Sequence, residues 1–129
     1  MGMIGNFFEN LKVNKSIKII NKALNINLTR WQADYIFYNV DIPNELNHIR
    51  GCGKTTARIL RILFSKGKPI VLNYPANLDK LRRILISEKI VDDGLNTDRG
   101  LCIFINELLN TRTKLLLANP HLKLRYVER

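Results

Sequence analysis

Histidine and cysteine are scarce in this chain, with two of each in 129 residues. Cys52 and Cys102 stand in unrelated contexts, with no Cys-x-x-Cys pair and no Cys/His cluster. That argues against a structural zinc site and a disulfide framework, and fits a reducing compartment. His48 and His121 are too isolated in sequence to build a metal site. Long apolar runs are missing too, and the longest stretches fall far short of a membrane span. The opening MGMIGNFFENLKVNK has no long apolar run before its first lysine and no small-residue cleavage site, so no secretory signal is expected. Residues 2–6 lack the Ser or Thr of a myristoylation signal. The expectation is a soluble protein with no membrane partner. Acidic residues are few as well: 11 against 21 Lys plus Arg, a formal net charge of +10. A surface of that balance suits polyanions such as DNA, RNA, nucleotides or an acidic protein.

What is present is enough for one ordinary core. The hydrophobic fraction is 46%, so burial can offset ordering entropy without staples. The length suits a single domain over 1–129, with a helical N-terminal segment at 1–40 and an α/β core at 41–129. Ile17, Ile20, Ala23 and Leu24 recur at helical spacing with lysines between them, which predicts one or two short helices over 3–27. Thr29 and Gln32 fit a capping box ahead of Trp31, Tyr35, Ile36 and Phe37, so a helix starts there and ends near Asn39. Residues 45–50 predict a short strand, though Asn47 and His48 suit a buried central position poorly.

Residues 54–65 read as an amphipathic helix, closed by Gly67 and Pro69. A buried strand is expected at 69–74, then a helix with Leu78, Leu81, Ile84 and Leu85 on one side and Lys80, Arg82 and Arg83 on the other. Residues 98–110 fit a helix capped by Asp98 better than a strand. Residues 114–119 and 121–127 are expected as strands. The resulting fold class is α/β: a small, partly parallel sheet with a P-loop strand–loop–helix unit and an N-terminal helical segment.

One segment carries chemistry. Arg50-Gly51-Cys52-Gly53-Lys54-Thr55-Thr56 sits at the expected start of a helix. A triphosphate needs many donors at short range, and backbone amides at a helix N-terminus supply them. Gly51 and Gly53 let the backbone curl around a phosphate. Lys54 can reach the terminal phosphates, and the Thr55 hydroxyl can bind the magnesium that bridges them. The full pattern puts its first glycine where this chain has His48, so the match is incomplete. A tight turn that binds no nucleotide is the plainer alternative.

Leu28-Thr29-Arg30-Trp31-Gln32 followed by Ile49-Arg50-Gly51-Cys52-Gly53-Lys54-Thr55-Thr56 resembles the start of a viral large-terminase or helicase-type ATPase domain. That family carries an aromatic-Gln adenine motif and then a deviant phosphate loop, often without the first glycine, in which an arginine stands where this chain has Arg50. The likeness covers about residues 28–90. It implies that Gln32 contacts adenine, that Arg50 and Lys54 bind phosphates, and that ATP and magnesium are the cofactors. It also implies a viral, host-cytoplasmic or virion-associated protein working in a larger assembly or as a homo-oligomer. Capping alone accounts equally well for Gln32, and the two roles can coexist. Trp31 reads more simply as core than as a stacking platform.

A hydrolytic site also needs a carboxylate at a strand end. The nearest candidate is Glu107, after Cys102-Ile103-Phe104-Ile105-Asn106, but Asn106 stands where the metal-binding Asp belongs. Asp92 and Asp93 read as a solvated turn. Hydrolysis is therefore left open. Arg58, Arg61, Lys80, Arg82 and Arg83 are the candidates for nucleic-acid backbone contacts. Two other readings remain: a non-catalytic basic nucleic-acid-binding or virion protein with a degenerate loop, and an interaction subunit of a larger motor that binds through residues 3–40.

Overall fold

Helix ends set the layout. In the computed structural model, which describes residues 3–46, 49, 51–71, 78–90 and 93–128, α1 runs from Met3–Leu24 as one helix. It stops at Asn25, whose φ of 53° is left-handed. The Ile26 amide then donates back to the Asn21 carbonyl at 3.1 Å, and the Asn21 side chain accepts from the Leu28 amide at 2.9 Å. This is the usual closure of a helix on a left-handed residue, a conformation that Asn tolerates. α2 (Arg30–Phe37) opens on the predicted capping box, with both the Thr29 and the Gln32 side chains engaged. It ends at Asn39, φ 57°. α3 is Lys54–Phe64 and α4 is Leu78–Ser87. α4 closes on left-handed Lys89, with the Ile90 amide donating to the Leu85 carbonyl at 2.8 Å.

The last helix, α5, is Asp98–Ala118. Thr97, not Asp98, caps it: the Thr97 hydroxyl accepts from the Gly100 amide at 3.0 Å. The helix expected at 98–110 is present. It continues through the strand expected at 114–119, because Leu101, Phe104, Ile105, Leu108 and Leu115 form one buried stripe at helical spacing. Leu, Ala and Lys are good helix formers, and the three-leucine run has no β-branched residue to favour a strand.

The α/β expectation is overturned. The chain is mostly helical, 66%, and among the described residues the sheet has two short strands. β1 (Ile70–Val71) pairs in parallel with β2 (Val127–Glu128), Ile70 opposite Val127. Of the strand expected at 121–127 only the end pairs. Of the strand expected at 45–50, Asn44–Leu46 forms a 3-10 turn, while 47, 48 and 50 lie outside the described residues. No strand among the described residues leads into the glycine loop, so a P-loop strand–loop–helix unit is not shown. Of the strand expected at 69–74, Ile70–Val71 forms β1 and 72–74 lie outside the described residues.

α3 lies at the centre, against α2 on one side and α5 on another, and α1 runs along α5. Six of its eleven residues are buried, including Ile59, Leu60, Ile62 and Leu63. Arg125 ties the C-terminal segment to this centre. Its amide donates to the Leu63 carbonyl at 2.8 Å. Its guanidinium reaches the Lys68 carbonyl, the Ser65 hydroxyl and the Glu88 carboxylate, all within 3.1 Å. The Arg125 side chain is 3% exposed, a cost that these bonds offset. Its position in the expected edge strand gave no sign of this.

Candidate functional site

Gly51 and Gly53 both take left-handed backbone, φ 74° and 88°, and α3 starts directly after them. Gly53 is the N-cap and offers no side-chain cap, unlike Thr29 and Thr97 at α2 and α5. The first amides of α3 therefore face outward with no cap hydroxyl on them, the condition under which a helix start attracts anions.

The loop is held from behind by Gln32. Its Nε2 donates to the Gly53 carbonyl at 3.1 Å. Its Oε1 accepts from the Thr29 amide at 2.9 Å and the Thr29 hydroxyl at 3.3 Å. Gln32 is only 6% exposed. A Cβ on Gly53 would come within 2.4 Å of that Nε2, whereas a Cβ on Gly51 would meet nothing within 4 Å. One side chain thus caps α2 and fixes the turn into α3. This is the capping role that the sequence allowed for Gln32; its oxygen is already taken by Thr29.

In front of the loop lies a cleft of about 520 Å³, lined by residues 51–56 together with Ile49 and Arg58. Among the described residues, the cleft lining includes Lys54 and Arg58 and no carboxylate. Lys54 Nζ donates to the Leu46 carbonyl at 2.8 Å, which orients the ammonium beside the cleft. Cys52 Sγ lies 3.5 Å from the Ile49 carbonyl. Thr55 is exposed and Thr56 half-buried. Arg50 lies outside the described residues.

The other sequence candidates disperse. Arg58 is 7% exposed, so it belongs to the cleft wall rather than to an outer face; α3 is buried on more sides than its charge spacing implied. Arg61 stacks over the Tyr35 ring at 4.5 Å and donates to Asn39 Oδ1. Burial pushes the Tyr35 hydroxyl above its ordinary pKa against the opposing pull of Arg61 and Arg58. Arg82 is bound to Asp79 at 2.8 Å, to Asp98, and to the Leu95 carbonyl at 3.3 Å. The hydrogen bond to Asp98 leads the interactions that raise its pKa further. Lys80 and Arg83 are exposed on α4. Glu107 is exposed on α5 and is not part of the cleft lining.

Among the described residues, no group of three or more His, Cys, Asp or Glu side chains is placed to hold a metal, and no helix is long and apolar enough to cross a membrane. No family model, curated protein or solved structure matches this chain.

Proposed function

We propose that the loop and first turn of α3 bind the phosphates of a nucleotide, ATP with magnesium, in a protein that works beside nucleic acid. The observation that carries the reading is the cleft itself: a helix start, Lys54 and Arg58 border one cavity, and no carboxylate is among the described residues that line it. Positive charge and outward amides with no opposing acid suit a polyphosphate and little else of that size. Lys54 would reach the outer phosphates, and the amides after Gly53 would take the inner ones. Thr55 would hold magnesium with the phosphate oxygens, and the metal would neutralise their charge. Gln32 enters as the support of the loop.

The proposal is for binding. Glu107, the carboxylate considered for hydrolysis, stands on the exposed side of α5 away from the cleft lining. The resemblance to viral motor domains supplies ATP as the ligand to test first; the geometry supports the phosphate part of it.

The test is thermal unfolding with and without ATP and magnesium. With ligand about 100-fold above Kd, the wild-type Tm should rise by roughly 5–10 °C. Lys54→Ala should lose that rise while keeping its own unliganded transition. No rise in the wild type, or an equal rise in Lys54→Ala, overturns the proposal.

A further inference from the structure

Five of the arginines in this molecule are engaged internally, whereas a run of lysines is exposed on one helix. Arg125 and Arg82 are paired with carboxylates, Arg61 lies on Tyr35, Arg58 is buried, and Arg112 donates to the Arg125 carbonyl beside the Tyr126 ring. By contrast Lys12, Lys15, Lys18 and Lys22 are all exposed on α1. At about 100° per residue these four fall within an arc of about 120° on one side of the helix. Among the described residues, no carboxylate is paired with any of them or with Lys123.

Lys12 and Lys15 also border a groove of about 560 Å³ between α1 and the turn that follows α5. Lys123 and His121 form its other bank, and no acid is among the described residues that line it. From Lys12 to Lys22 the strip is about 15 Å long at 1.5 Å per residue. One strand of a duplex carries a phosphate about every 3.4 Å of axis, so the strip passes about four of them.

We infer that this lysine strip and groove bind the phosphodiester backbone of double-stranded nucleic acid, without reading base sequence. Lysine is a point charge that positions a backbone rather than a fork that reads a base edge. Asn119 Oδ1, in the same groove, already accepts from the His121 amide at 3.3 Å. A single strand would call for stacking platforms, and the groove's one phenyl ring, Phe64, is held edge-on to Phe37 with centroids 5.4 Å apart. A lipid surface would call for an apolar face to insert. Ile20, Ala23 and Leu24 are turned into the core instead, leaving Leu11 as the exposed large apolar residue between residues 10 and 24. The site shares no residue with the cleft at α3 and does not depend on nucleotide binding there.

The experiment is fluorescence anisotropy with a labelled 20-base-pair DNA duplex of arbitrary sequence, titrated at several salt concentrations. Five lysine contacts predict a slope of log K against log salt of about −4.5. The triple variant Lys12→Ala/Lys15→Ala/Lys123→Ala should bind at least about tenfold more weakly, with the slope shallower by about 3. The matching triple Lys→Arg variant should keep the wild-type slope, which separates charge from folding. Lys54→Ala should keep it as well, so failure of this site and failure of the nucleotide site are distinguishable. The inference is overturned if the triple Ala variant stays within twofold of wild type. It is also overturned if Lys80→Ala/Arg83→Ala on α4 weakens binding equally, or if phosphatidylserine vesicles bind the protein and the duplex does not.

Discussion

At the scale of single residues, the junction between Gln32 and Gly53 decides the shape of the cleft. Gly53 is required twice over, for its positive φ and for the approach of Gln32 Nε2 to its backbone. Gly51 is required once, for its φ alone. The two positions therefore separate the effects. Gly51→Ala should cost about 1 kcal/mol, the penalty of a left-handed alanine. Gly53→Ala should cost about 1–2 kcal/mol more, because the Gln32 amide must leave its hydrogen bonds. Urea unfolding of the two variants measures the difference, and equal losses would remove Gln32 from its supporting role. The capping half of this junction was legible in Thr29-x-x-Gln32, since a capping box is local. The link to Gly53, 21 residues away, is a tertiary contact that no spacing rule encodes.

Local signals also governed which elements could be read. The helices at 30–37, 54–64 and 78–87 follow from caps, apolar spacing and the Gly67/Pro69 stop. The strand at 114–119 was misjudged, because a short apolar run looks alike in a buried strand and in one turn of a long helix, and of 121–127 only Val127 pairs. The frame set at Thr97 decides between them: its buried stripe stays in phase through Leu115. Lys114→Pro tests this directly, since Lys114 is exposed and loses no packing. Inside a helix it should cost about 3 kcal/mol or more. A loss under about 1 kcal/mol by chemical denaturation would restore the strand. With α5 continuous, the chain also loses the alternation of strand and helix on which the α/β expectation rested.

Across the whole molecule, charge is sorted by residue type. The arginines described above hold the interior and its seams: Arg125 joins the C-terminal segment to the ends of α3 and α4, and Arg82 joins α4 to the start of α5. Net charge suggests a polyanion partner but gives no address for it, and of the arginines first considered, Arg61 and Arg82 have partners inside the molecule. The cleft at α3 and the lysine strip on α1 are proposed to take different ligands. The helix start after Gly53 and the glycines before it were legible because those signals are local. Arg58's place in the cleft wall was hidden by the number of faces α3 buries. The most direct measurement of the central claim is a two-dimensional NMR titration of the protein with ATP and magnesium, following backbone amides. The account predicts that the largest shifts fall on Gly51–Ala57 and saturate. Shifts concentrated on α1, or none at the loop, would contradict it.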